Sequence, residues 1–272
     1  MINVSDNSQA RPRLTSGFVF KSVFGNSPRL CKLLLEAALE VGIEAVEVVQ
    51  PEREFDVAAR SRAGRVDVYV MDSDGNRYDV EIQAESNDNE VLRARHYQSL
   101  MDVAQLRKGT GVEGLRGSVV LFVCDFDPLG AGLRRYDCRT TCLQTREVVP
   151  DGRRAVFLNS RGGGDDVGPE LDAFLRLVRG EPVEGSPLAD GINATIDTYI
   201  VDAEWMEQYM TFEDELDAAK KAAARAAAKE RTVTLVCALM QSQGWGVEAA
   251  MDALDLAPEE RAYVNKELQG KS

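Results

Sequence analysis

A mixed α/β layer fold followed by a helical tail is the architecture this sequence predicts, and three observations predict it. Leu30, Leu33, Leu34, Ala37, Ala38 and Val41 recur at helical spacing. Short apolar strand patterns lie on either side of a second helical stretch, in the order helix, three strands, helix, strand. From Phe212 onward the chain is dominated by strong helix formers, KKAAARAAAKER among them.

Each element follows from local chemistry. Ser27-Pro28 opens the first helix, since Pro is tolerated in a first turn, and Gly42 stops it. Ile43–Val49 reads as a strand, Val66–Met71 as a second and Tyr78–Ala84 as a third. Between the last two lies Asp72-Ser73-Asp74-Gly75-Asn76, a hairpin signal. Glu90–Leu106 is helical, and Ser118–Cys124 is an apolar strand buried on both faces. Arg154–Leu158 adds a strand and Glu170–Val178 a helix. The Pro/Gly/Ser-containing stretch EPVEGSPLADG then reads as a linker. The tail helix runs to Gln243 and breaks at Gly244-Trp245-Gly246, and two short helices follow, the second starting near Pro258. The domain reading is a flexible leader over 1–13, an α/β domain over 14–180, a linker and connecting segment over 181–211, and a helical tail over 212–272. The Ala/Lys/Arg run is either a solvated face or one that pairs with another chain.

Composition sets limits. Hydrophobic residues make up 44% and charged residues 28%, the balance of an ordinary globular chain. No apolar run approaches the ~18 residues that span a bilayer, and Met1–Arg13 lacks an apolar signal core. A cytoplasmic protein without a membrane partner is therefore expected. Five cysteines at scattered positions do not form a disulfide framework. The net charge of −13, taken alone, argues against nucleic acid. The excess is unevenly placed, however. Residues 1–150 hold 19 basic and 22 acidic side chains, against 13 and 23 in residues 151–272.

The chemistry concentrates on the predicted hairpin. Side chains alternate across a strand, so Asp79, Glu81 and Gln83 share one face. Asp67 sits in Val66-Asp67-Val68-Tyr69-Val70, where an acid has poor strand propensity. A two-residue loop, Asp74-Gly75, would pair Asp67 with Ile82 and send Glu81 to the opposite face. A three-residue loop, Ser73-Asp74-Gly75, would set Asp67 directly opposite Glu81, with Gly75 in the left-handed position such loops require. In that register two like charges meet, and a hard divalent ion such as Mg²⁺ would reconcile them through oxygen ligands. Such an ion lowers the pKa of bound water and stabilises charge on a phosphoryl oxygen. Gln83 could hold the attacking water or a phosphate oxygen, without the positive charge of a lysine.

Four segments, in order, carry a family resemblance: Leu14-Thr-Ser-Gly-Phe-Val-Phe-Lys-Ser-Val-Phe-Gly25, Arg65-Val-Asp-Val68, Val80-Glu-Ile-Gln83, and Arg93-Ala-Arg-His-Tyr-Gln-Ser99. The chain resembles the recombination-promoting nuclease and transposase-like family of PD-(D/E)xK nucleases. That resemblance covers about residues 14–180 and implies a restriction-endonuclease-like core. It makes Asp67 and Glu81 ligands of Mg²⁺, with Mn²⁺ as a substitute, adds the Ile82 carbonyl as a further ligand, and makes Gln83 the third motif residue. Glu36 is the best-placed acid on the first helix to assist. Lys21 would meet a phosphate or lie solvated with its stem on Phe24. Arg93 and Tyr97 are the substrate-binding candidates, although Arg93 and Arg95, two apart on a helix, point in different directions. The implied function is a Mg²⁺-dependent DNA endonuclease that hydrolyses phosphodiester bonds. A homodimer through the C-terminal helices would be compatible with it. The alternative is a catalytically weak or inactive nuclease fold that serves as a DNA-binding or protein-interaction module. Gly17, where relatives often carry Asp, and the net charge favour that alternative.

Overall fold

The computed structural model describes residues 11–49, 67–86, 88–106, 111–164 and 166–269. The leader expected over 1–13 falls mostly outside these residues, as do Arg65 and Val66. The chain divides into two compact units, Met1–Met206 and Glu207–Ser272.

The first unit is built on a six-stranded mixed sheet in the order β1-β2-β3-β4-β6-β5. Its strands are β1 (Val46–Val49), β2 (Val68–Asp72), β3 (Arg77–Gln83), β4 (Ser118–Cys124), β5 (Arg135–Arg139) and β6 (Arg153–Asn159). β1, β2 and β3 pair antiparallel, β3, β4 and β6 run parallel, and β5 returns antiparallel on the edge. All seven residues of β4 are buried, as a central parallel strand covered on both faces requires. The helices of this unit are α1 (Gly17–Gly25), α2 (Pro28–Leu39), α3 (Glu90–Gln105), α4 (Pro169–Val178) and α5 (Pro187–Ile200). Tyr69, Val120, Phe122 and Phe157 share one face of the sheet and pack against Ala94, Tyr97 and Met101 of α3. Residues of the opposite parity, such as Val68, Val80, Leu121 and Val156, are equally buried, and α1 and α2 lie against the sheet.

Three elements depart from the sequence reading. Gly17–Gly25 is a helix that buries Val19, Phe20, Val23 and Phe24. β5 is an added edge strand. The segment expected as a linker over 181–211 contains α5, whose Leu188, Ala189, Ile192 and Ile196 are buried beside α2 and α4. The Ser186 side chain accepts from the Ala189 N–H and Pro187 occupies the first turn, so the Pro/Ser signal marks a helix start there.

The second unit holds most of α6 (Ala203–Gln243), then α7 (Val247–Ala253) and α8 (Pro258–Gln269). Val233, Val236, Ala250, Met251 and Val264 form a small core of its own. No helix among the described residues is long and apolar enough to cross a membrane.

The turn between β2 and β3 fixes the geometry that matters most. Val68 pairs with Val80 and Val70 with Tyr78, so partner numbers sum to 148 and the loop is Ser73-Asp74-Gly75. Gly75 takes φ +82°, and the Asp72 carboxylate accepts from the Asp74 and Asn76 backbone N–H groups at 3.0 and 2.9 Å. A side chain at position 75 is strained in that left-handed backbone. Gly75→Ala is therefore expected to lower unfolding free energy by about 1 kcal/mol, read as a lower urea midpoint. An unchanged midpoint would show that the turn tolerates a Cβ.

Candidate metal centre

With partner numbers summing to 148, Asp67, one residue before β2, lies opposite Glu81 on β3. Each acid accepts from a backbone N–H of the facing chain segment. The Asp67 N–H donates to Glu81 Oε1 at 2.9 Å, and the Ile82 N–H donates to Asp67 Oδ2 at 3.1 Å. Both carboxylates thus converge at the end of the hairpin far from its turn. Glu81 is only 1% exposed.

α3 supplies the countercharge. Arg93 and Tyr97 are one helical turn apart and face the sheet together. Arg93 Nη2 donates to Glu81 Oε2 at 2.6 Å, and Arg93 Nε and Nη2 reach Tyr97 Oη at 3.3 and 3.0 Å. The guanidinium lies over the Tyr97 and Phe122 rings, 5.5 and 5.1 Å from their centroids. Arg95 points elsewhere and is exposed.

Burial dominates the electrostatics. It pushes the Glu81 carboxyl up to about 8, assisted by the Asp67 charge and opposed by Arg93, the Asp67 N–H and Lys21. Asp67 is raised as well, again chiefly by burial, against the pull of the Ile82 N–H, Lys21 and Arg93. Lys21, half-buried on α1, is therefore near enough to act on both acids.

Asp79 is the residue that sequence reasoning placed on this face but gave no role. It is fully buried between Tyr69 and Val120 on the neighbouring strands, and neither carboxylate oxygen has a hydrogen-bond partner among the described residues. Burial, then the charges of Glu81 and Asp67, hold its carboxyl well above the ordinary range. The signal was present in the sequence only as parity: acids at i and i+2 of one strand share a face, so whatever covers Glu81 covers Asp79 beside it.

The remaining candidates fall into place around this pair. Gln83 ends β3 on the same face, half-buried, and its carbonyl accepts from the Asp125 N–H at 2.9 Å. Glu36 is not brought to the acids. Its carboxylate accepts from the Ile43 N–H at 3.0 Å and lies 3.8 Å from Lys32, closing the turn between α2 and β1. Its carboxylate is thus engaged locally, at the end of α2. A Cβ at Gly17 would meet nothing within 4 Å, so packing does not require glycine there.

The donor set can be weighed against a divalent ion. Among the described residues no group of three or more His, Cys, Asp or Glu could hold a metal. A zinc or calcium cage is thus not present in them, whereas Mg²⁺ characteristically takes one or two carboxylates and completes its shell with water and phosphate oxygens. Two facing carboxylates, both raised chiefly by burial, fit that requirement.

Residues 14–138 match the family model described as PD-(D/E)XK nuclease family transposase. No curated protein and no solved structure matches the chain. The matched span contains Lys21, Asp67, Glu81, Gln83, Arg93 and Tyr97, and the helix, three strands, helix, strand order lies within it. Over residues 14–138, this chain is therefore similar to the PD-(D/E)XK nuclease family transposases, the family its four motif segments resemble.

Proposed function

We propose that this protein is a Mg²⁺-dependent DNA endonuclease whose centre is the Asp67–Glu81 pair. The observation that carries the proposal is the register of the β2–β3 hairpin, which sets the two acids opposite one another. Asp67 and Glu81 would hold the cation, with the Ile82 carbonyl as a further ligand and Mn²⁺ as a substitute. When bound, the ion supplies a water of lowered pKa and charge stabilisation at a phosphoryl oxygen. Gln83 orients the attacking water through its amide. Arg93 stands beside the pair with a fork suited to a phosphate, and Tyr97 holds that fork in place. Lys21 adds a positive charge on the α1 side.

A second reading has one observation in its favour. Arg93 already neutralises Glu81 at 2.6 Å, which a fold that serves only as a DNA-binding or interaction module could retain without any metal. The two readings separate on metal uptake. The nuclease should nick supercoiled plasmid in Mg²⁺ but not in EDTA, and should take up Mn²⁺ in calorimetric titration. DNA binding without any metal uptake would favour the second reading.

A further inference from the structure

A groove on the far flank of α3 carries chemistry that the acidic pair does not use. Its cavity measures about 270 Å³ and its wall includes Arg95, Arg139 and Arg153, with no Asp or Glu among the lining residues. In a chain of net charge −13 that is an unusual wall. Two other grooves of this unit have carboxylates in theirs, Glu181 and Asp197 in one and Glu44 and Asp72 in the other.

The guanidiniums there are incompletely satisfied. Arg95 is exposed and makes no ion pair among the described residues. Arg153 Nε is buried without a hydrogen-bond acceptor and stands 3.8 Å from Asp102 Oδ2. Arg139 is tied to Asp137 at 3.0 Å, but Asp137 is shared with Arg154 at 2.7 Å. Asp137 is thus divided between two arginines, and Asp102 approaches Arg153 only at 3.8 Å. Buried donors without acceptors, arranged in rigid planar forks, match the oxygens of phosphate esters.

The groove is also in line with the candidate centre. Glu81 pairs with Phe122 and Phe122 with Phe157, so one row of the sheet leads from the acids to the groove floor. Two strand spacings make that distance about 10 Å, with α3 packed over the buried Phe122 between the acids and the groove. Val91 and Ala94 of α3, with Ala155 and Phe157 of β6, give the groove an apolar lining beneath the charged rim.

We infer that this groove binds the sugar-phosphate backbone of the DNA strand engaged at the acidic pair, with Arg95, Arg139 and Arg153 on its phosphates. The inference rests on the endonuclease reading for the identity of the polyanion. Contacts of this kind position the duplex and carry no sequence information.

The test compares the double variant Arg95→Ala/Arg139→Ala with the control Arg29→Ala/Arg146→Ala, which removes the same charge from exposed sites elsewhere. Affinity for a fluorescent 20-base-pair DNA is measured by anisotropy in EDTA across a salt series. The groove variant should bind about tenfold more weakly or worse, and its salt slope should fall by about 2 relative to wild type. The control should bind like wild type, and Mn²⁺ uptake should be the same in all three. Equal binding by groove variant and control would overturn the inference while leaving the endonuclease reading intact. Failure of the wild type to bind DNA at all would overturn both. Thermal melting of each variant separates lost contacts from lost folding.

Discussion

Glu81→Ala is expected to reduce Mg²⁺-dependent plasmid nicking by roughly 10³-fold or more, and Asp67→Asn by a similar factor. The expectation follows from the geometry of one carboxylate pair. Glu81 and Asp67 each donate no proton to the other; they are linked through the backbone N–H groups of Asp67 and Ile82. Removing either side chain leaves a single carboxylate to hold a divalent ion, and several kcal/mol of transition-state charge stabilisation depend on that ion. Arg93 is 26% exposed at its side chain, so solvent can take up the guanidinium that Glu81→Ala leaves unpaired. The variant should therefore stay folded, as far-ultraviolet circular dichroism would verify. Equal nicking by wild type and Glu81→Ala would show that the hydrolytic centre lies elsewhere.

The second large effect concerns stability. Asp79, Glu81 and Asp67 are all raised, chiefly by burial. A folded state with raised carboxyl pKa values binds more protons than the unfolded chain, so stability falls as pH rises through the window. For Glu81 that window runs from the ordinary 4.5 to about 8. The stabilisation is fully present below it and lost above it. Acids with lowered values, such as Asp127 and Asp137, lose their contribution only as pH falls, outside this range. In EDTA the melting temperature should therefore drop by roughly 5 °C or more between pH 5 and pH 8.5. Asp79→Val should flatten that slope and stabilise the protein by about 1–4 kcal/mol at pH 8.5, because it replaces an unpartnered buried acid by an apolar side chain. A flat melting profile in the wild type, or a destabilised Asp79→Val, would refute the account of a repulsive buried cluster.

Much of this arrangement is legible in the sequence, for identifiable reasons. β4 reads directly because seven buried residues of a parallel strand leave an unbroken apolar run. The hairpin itself reads from Asp74-Gly75, but its register does not, since either loop length gives that glycine a left-handed place; the strand pairing decides it. β5 is invisible because Arg-Tyr-Asp-Cys-Arg on an exposed edge has one buried side chain, Tyr136, and hence no period to detect. α1 is obscured by glycines at both ends, and its apolar face is only four residues wide. α5 was hidden by proline and serine, which mark loops and helix starts alike. Of the site, the pairing of Asp67 with Glu81 could be posed as a parity question. The capture of Glu81 by Arg93 could not, because helix-to-sheet contacts leave no spacing signature. The solitary state of Asp79 needs knowledge of every neighbour, which only the packed structure supplies.

The tight bend at Ser73-Asp74-Gly75 acts on residues it never touches. It begins six residues from Asp67, a separation of about 20 Å along an extended strand. Re-pairing the intact ribbon around a two-residue bend, Asp74-Gly75, would turn Asp67 to the face opposite Glu81, with every residue of the pair still present. The register chosen at that bend is thus a phase setting for the placement of two acids at the other end.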